Sequence, residues 1–407
     1  MPYRFVLAPG GFKESLSARQ AAEAMAEGVR RAVPDAALDL MPLVDGGEGT
    51  AKALALATGG RLVRRIATGP LGEPVRTHFA LLGDAEATAV VEMAAVAGLS
   101  LVPPDRRDPG LTTTYGVGEL LRAALDSGAR RVLVGCGDSG TSDGGAGALQ
   151  ALGARLLDAD GARLPRGGHA LVALDRIDPS GLDPRLGEVE LLVACNPFNV
   201  LCGPHGVARV FGPQKGATPA ETEILSAALE RWATVLARDV HRGGTNLRSA
   251  PGTGASGGLG AGLAALGGQL LPRFEVLLDG LGLEARFARA DLVLTAEGAL
   301  DRQTPHGKVP AEVGRRAKAL GKPVLALAGT LGDGAREARA SGIDAYRSIL
   351  PAPLSLPEAL LHTGTHLAEA TEHAVRMVLL GTRLRTAGHP AARPARGASR
   401  VRPAVGR

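Results

Sequence analysis

The chain has 407 residues, 45% hydrophobic but only 3% aromatic, so its interiors must be filled by aliphatic side chains and two domains are expected rather than one. Its net charge of +5 is an end effect: residues 381–407 hold seven arginines and no acid, which leaves the rest at −2. The body therefore has no basic bias toward nucleic acid, and the Pro/Ala/Arg tail, with no interleaved aromatics, reads as disordered.

In chain order, Tyr3 to Ala8 reads as a strand and Pro9-Gly10-Gly11 as a turn; Ser17 then caps a helix over Ala18 to Ala32. Leu38 to Leu43 is a second strand, and Asp45-Gly46-Gly47-Glu48-Gly49-Thr50 leads into a helix that ends at Gly59-Gly60. This is the start of a parallel sheet. Arg61 to Ala67, Pro74 to Leu82 and Ala87 to Met93 alternate and are joined by short turns, as antiparallel strands do. A helix over Gly116 to Asp126, a strand over Arg131 to Gly135 and a Gly-rich loop into a helix through Leu152 follow. Arg155 to Leu164 reads as a hairpin turning at Asp160-Gly161, Glu188 to Ala194 as a strand, and Glu221 to Val240 as a long helix carrying Trp232. Gly252 to Gly262 is a second Gly-rich turn entering a helix.

From Asp291 the strand–helix alternation returns. A short strand (Leu292 to Leu294) breaks at Gly298, a helix covers Pro310 to Leu320, strands cover Pro323 to Ala328 and Ala345 to Ile349, and a last helix runs from Pro357 to Leu380. The simplest account is an α/β protein: residues 1–65 and 288–380 form a parallel-sheet domain from both chain ends. Residues 66–287 are inserted as a second α/β domain, and 381–407 are the tail. A site would lie in the cleft between the two.

The most informative stretch is Asp291 to Pro310. Polar loops at the carboxyl ends of buried parallel strands are where open α/β sheets bind ligands. Glu297, Asp301, Gln303, Thr304 and Lys308 fall within twelve residues there. Two carboxylates, a hydroxyl and a lysine suit a metal and a phosphate better than a packing role. Asp45 to Thr50 admits two readings. One is an anion or metal site at a helix N-terminus, and the other is a tight turn whose acids favour the helix dipole. Gln214 and Lys215 between glycines read equally as a phosphate loop or a surface turn. Gly135 to Gly140 fits the dinucleotide pattern G-x-G-x-x-G, but Gly252 to Gly257 fits it too, in a chain with 57 glycines, so a nicotinamide dehydrogenase stays open only as a rival. No P-loop is present. Three cysteines without a C-x-x-C indicate neither a disulfide framework nor a zinc knuckle. No apolar run is long enough to span a membrane, and a cytoplasmic location is expected.

Taken together these stretches resemble the bacterial glycerate kinase family. Ala8 to Ala18 is similar to that family's P-D-S-F-K-x-S-L-S/T-A, and Asp45 to Thr50 is its D-G-G-E-G-T. Glu92-Met93, Thr112 to Gly116, Ser142 to Gly147, Phe211 to Ala217 and Glu297 to Lys308 follow in order, so the likeness runs from about Arg4 to Leu380. The resemblance implies a flavodoxin-like α/β domain with a second mixed α/β domain inserted. It implies transfer of a phosphoryl group from ATP, with Mg²⁺, to glycerate. The 2-phosphoglycerate product is favoured over the 3-isomer, with no membrane or nucleic-acid partner and a homodimer as the candidate assembly. It places Asp45, Glu48, Asp143, Glu297, Asp301 and Lys308 in the catalytic set, the first two with Glu297 and Asp301 as Mg²⁺ ligands. Lys13, Asn199, Gln214, Lys215, Gln303 and Thr304 are implied for substrate or phosphate. Departures occur at Gly10-Gly11, at Asn196 (an acid in the family) and at Ala299 (an arginine), so a descendant that binds without turnover is the other rival.

Overall fold

The structure, a computed structural model, describes residues 2–12, 14–241, 243–278 and 282–386. In chain order the strands are β1 (Arg4–Leu7), β2 (Ala37–Leu40), β3 (Arg61–Thr68), β4 (Pro74–Leu81), β5 (Thr88–Glu92), β6 (Arg131–Gly135), β7 (Arg155–Leu157), β8 (Arg176–Asp178), β9 (Glu190–Cys195), β10 (Gln269–Pro272), β11 (Leu292–Leu300), β12 (Val324–Leu331) and β13 (Ala345–Ser348). They form a five-stranded sheet, a six-stranded sheet and a small antiparallel pair, β7 with β8.

The five-stranded sheet takes both chain ends, in the order β2-β1-β11-β12-β13, with every neighbour parallel. Renumbered within the sheet this is 2-1-3-4-5, the flavodoxin-like order. Its strands are buried on both faces, which is why Phe5–Leu7, Leu292–Leu294 and Val324–Leu327 read as unbroken apolar runs. One face is covered by the helix Ala18–Ala32, started by a capping box between Ser17 and Gln20 and burying Ala21, Ala22, Met25, Ala26 and Val29. Each fully buried side chain of Met or Val size stabilises by roughly 1.5–3 kcal/mol relative to exposure.

The six-stranded sheet runs β10-β9-β6-β5-β4-β3. The first four are parallel; β4 and β3 are antiparallel, as their alternation and short turns required. The helix Thr50–Thr58 packs against β3, β4 and β5, so the chain has already crossed to this sheet before Arg61. An apolar cluster joins the two sheets, with Val6, Met41 and Val313 on one side and Val90, Leu133 and Phe274 on the other. Among the described residues no helix is long and apolar enough to cross a membrane.

Four expectations need correction. β11 does not break at Gly298 but continues to Leu300, paired with β12 as far as Leu331. The close approach here is made possible by the facing Gly329, where a Cβ would lie 2.6 Å from the Gly298 carbonyl oxygen. The Asp158–Gly161 turn forms, but only one bridge, Leu157 with Arg163, follows it, and β7 takes its ladder from β8. The final helix is two, Leu356–Leu361 and Thr363–Thr386, so the helical body passes the expected tail boundary at Gly381. β2 ends at Leu40, although Met41 and Leu43 still donate to the Leu7 and Pro9 carbonyls.

Candidate active site

In the five-stranded sheet the chain leaves β1 toward β2 on one side and leaves β11 toward β12 on the other. A crevice opens outside the carboxyl ends of strands at such a switch point. The loop after β11 lies there. It is folded by its own polar groups: Thr304, fully buried, accepts from the Asp301 N–H at 2.9 Å, and the Asp301 carboxylate accepts from the Gln303 N–H at 2.8 Å. The Lys308 ammonium donates to both Asp301 oxygens at 3.0 Å and to the Ala299 carbonyl at 3.1 Å. This pair is only partly exposed, 19% for the lysine side chain and 30% for the aspartate. Lys308 is also the N-cap of the helix Val309–Ala319, whose free N–H groups and dipole favour an anion. Glu297 lies upstream, half-buried on β11; Gln303 is exposed.

The Asp45–Thr50 loop spans from one sheet to the other. Asp45 accepts from the Gly47 N–H at 3.1 Å through one oxygen and from the Arg273 guanidinium at 3.1 Å through the other. Glu48 is exposed, and its N–H donates to the Asp138 carboxylate at 3.2 Å. Beneath the loop Glu92, the last residue of β5, is buried and accepts from the Gly49 N–H at 2.7 Å and the Ala51 N–H at 2.8 Å. Burial pushes the Glu92 carboxyl up to about 7, against the pull of those two N–H donors and with the charges of Glu48 and Asp138 adding to the rise. In the sequence Glu92 stands out only as part of the Glu92-Met93 stretch. Its signal was an acid ending a strand otherwise made of Thr, Ala and Val.

Asp143 and Lys215 occupy a different environment. Asp143 has no exposed surface, and its carboxylate accepts from the N–H groups of Thr114 (2.8 Å), Gly145 (3.1 Å) and Gly147 (3.2 Å) and from the Thr114 hydroxyl (2.8 Å). Burial raises its pKa while those donors pull it down. A carboxylate with its lone pairs already taken braces the turns at 113–115 and 143–147, whereas the resemblance implied a place in the catalytic set. Lys215 is 2% exposed and donates to the Ser139 hydroxyl at 2.9 Å and the Thr141 carbonyl at 2.7 Å, so it holds the 139–141 loop from below. Gln214 points to the surface from the same short turn. Lys13 lies outside the described residues.

The dinucleotide reading fails on packing. A Cβ on Gly135 would lie 2.7 Å from the Gly46 carbonyl oxygen, and one on Gly137 2.6 Å from the Gly47 N–H nitrogen. The close approach that these glycines permit is taken by the protein's own Asp45–Thr50 loop, not left for a pyrophosphate.

Two residues enter from the second sheet. Asn196, just past β9, donates from its side-chain nitrogen to the His306 carbonyl at 2.9 Å; its oxygen accepts from the Phe198 N–H at 3.1 Å, which fixes the amide's orientation. A carboxylate here could not make the first bond. Asn199, three residues on, holds the loop through its backbone: its N–H donates to the Asn196 carbonyl, and its own carbonyl accepts from Gly254. Arg273, just past β10, donates to the Asp45 carbonyl (3.1 Å), the Asp45 carboxylate and the Gly307 carbonyl. Nothing in the sequence marked Arg273, a single arginine between Pro272 and Phe274 in no motif.

Residues 5–379 match the glycerate kinase family. A glycerate kinase of Bacillus subtilis (strain 168) is 45% identical over 382 residues, 94% of this chain and 98% of that protein. A glycerate 2-kinase of Escherichia coli (strain K12) is 43% identical over 381 residues, 93% of this chain and 99% of that one. A crystal structure described as a glycerate kinase 2 from Salmonella typhimurium LT2 superposes with a TM-score of 0.73 at 44% identity, covering 94% of this chain and 100% of its own.

Proposed function

Because the chain belongs to the glycerate kinase family, we propose that it transfers the γ-phosphoryl group of ATP to the 2-hydroxyl of glycerate, giving 2-phosphoglycerate. Kinase activity on glycerate rests on relatives of that name aligned along nearly the full length of both partners. The choice of hydroxyl rests on the relative named a glycerate 2-kinase. The observation that carries the mechanism is the Lys308–Asp301 pair at a helix N-terminus, beside the switch point of a flavodoxin-like sheet.

Phosphoryl transfer calls for in-line positioning, neutralisation of charge on the moving group and a group to take the hydroxyl proton. Lys308 is the cation for the transferred phosphoryl, held by Asp301 so that it need not reorganise. The Val309–Ala319 helix N-terminus adds N–H donors for phosphate oxygens. Thr304 keeps the turn in shape, and Gln303, which is exposed, orients substrate oxygens in this reading. Glu297 and Asp301 are the carboxylates for the proton and the metal, with Asp45 and exposed Glu48 across the cleft.

Carboxylates from the set Asp45, Glu48, Glu297 and Asp301 would hold Mg²⁺, which would supply positive charge to neutralise the phosphate oxygens of ATP. The ion needs only one or two protein carboxylates, the remaining sites going to phosphate and water. Among the described residues no three His, Cys, Asp or Glu side chains gather as a closed metal cage, and the dispersed set of Asp45, Glu48, Glu297 and Asp301 fits the open arrangement instead. Asp143 and Lys215 are framework in this reading.

The test is ADP release by the purified protein from Mg-ATP with and without D-glycerate, with the product identified by phosphorus NMR. Glycerate-dependent ADP and a 2-phosphate resonance are expected. No ADP would overturn the reading, and a 3-phosphate would overturn the choice of hydroxyl.

A further inference from the structure

We infer that Asn196 and Arg273 form a latch from the second sheet that sets the position of Lys308 and of the Asp45 loop, making both of them positioning residues for the reaction proposed above. The inference rests on that reading for its kinetic consequence but not for its structural one.

The geometry begins with strand register. β9 and β10 are parallel neighbours, with Cys195 paired to Pro272, so the next residue on each strand, Asn196 and Arg273, emerges side by side at the same sheet edge. On the opposite side two consecutive carbonyls, those of His306 and Gly307, receive them: Asn196 donates to the first and Arg273 to the second. Gly307 has a φ of +98°, and a Cβ there would stand 3.3 Å from both Asn196 amide atoms, so the turn is pressed against its donor. Phe198 adds a third contact, meeting the His306 ring edge-on with centroids 5.3 Å apart although it is itself 62% exposed. The residue after Gly307 is Lys308.

Arg273 does a second task with the same guanidinium, holding both the carbonyl and the carboxylate of Asp45. Its side chain is 12% exposed, and its Nε lies buried with no hydrogen-bond partner. One planar fork, on the first residue past β10, thus ties the exit of β2 to the turn after β11 from the other sheet. A lysine offers a single point charge on a flexible stem and cannot span both acceptors in this fixed geometry. The two sheets are joined elsewhere by apolar packing, which is non-directional and sets no register between loops. The latch supplies the direction. A displacement of about 1 Å in a phosphoryl-binding lysine is enough for about a 100-fold loss of rate.

The experiment compares wild type with Asn196→Ala, Arg273→Ala and the double variant by steady-state kinetics with Mg-ATP and D-glycerate, and by hydrogen–deuterium exchange. We expect Arg273→Ala to lower kcat by about 100-fold and Asn196→Ala by about 10-fold, with smaller changes in KM. The double variant should fall short of the product of the two, as residues of one unit do. Added guanidinium should restore part of the Arg273→Ala activity, which a merely structural arginine would not show. In both single variants, exchange should accelerate in peptides covering 301–309 while those covering β11 up to Ala296 stay protected. Wild-type kinetics together with wild-type exchange in 301–309 would overturn the latch. If Arg273→Ala does not fold, Asn196→Ala alone still decides by the same two readouts. If the wild type releases no ADP with glycerate, the functional reading fails while the exchange data still decide the latch.

Discussion

Two carboxylates and two lysines of the candidate site do opposite things in this molecule. At Asp301 and Lys308 the pair sits at a sheet's carboxyl edge, partly open, with the lysine held by one carboxylate and one carbonyl. At Asp143 and Lys215 both groups are sealed in, and the aspartate is surrounded by donors on neighbouring turns. The residue types are alike; access and saturation are not. A charge that already has all its partners braces the fold, whereas one with spare capacity at a cleft can be given to a ligand. The contrast makes Asp301 and Lys308 a matter of rate and Asp143 and Lys215 a matter of stability.

The strongest way to break that contrast is at Asp143. Asp143→Ala would strand three backbone N–H groups and a hydroxyl in a dry interior, and a loss of about 3–5 kcal/mol of folding stability is expected. Urea titration by circular dichroism measures it; a variant as stable as wild type would mean that the turns carry themselves. Lys308→Ala should do the reverse, lowering kcat by about 100- to 1,000-fold with under about 1 kcal/mol change in stability. Turnover left intact would remove Lys308 from the site.

Glu92 stands between the two regimes, buried yet beneath the cleft loop. Its carboxyl holds a proton up to about pH 7 in the folded chain, against about 4.5 for an ordinary glutamate. The folded state therefore binds that proton more tightly. The resulting stabilisation is full below pH 4.5 and is lost as pH rises through about 7, by roughly 3 kcal/mol in all. Denaturation of wild type and Glu92→Gln between pH 4.5 and 8 should give curves whose difference changes by that order, and parallel curves would show Glu92 ionised throughout. The smallest effect is expected at Arg302, whose pair with Asp333 is 72% and 94% exposed. Arg302→Ala should shift stability by less than about 0.5 kcal/mol although it neighbours Asp301 in sequence.

Much of the fold was legible. The helix Ala18–Ala32 was bounded by its cap and periodicity, and β6 by its apolar run between an arginine and a glycine, because those signals are local. The antiparallel pairing of β3 with β4 followed from alternation and a short turn. Gly298 misled because a glycine alone does not end a strand: β11 runs on past it because β12, distant in sequence, stays paired with it as far as Leu331. β7 folds back on 163 through a single bridge and takes its ladder from β8 for the same reason: a strand's partner is chosen by what lies beside it.

Sequence by itself determined the class of elements, their order, the two ends of the chain that build one sheet, and the cluster of polar residues after β11. All of these depend on neighbours along the chain and on long motifs in register. Tertiary structure alone decided that Asp301 and Lys308 pair in partly open ground while Asp143 and Lys215 are each sealed in. It also revealed Glu92 beneath the Asp45–Thr50 loop and brought Arg273 to Asp45 and Gly307. The physical reason is that burial and hydrogen-bond saturation are properties of the space between segments, and Arg273 is separated from Asp45 by 228 positions of chain.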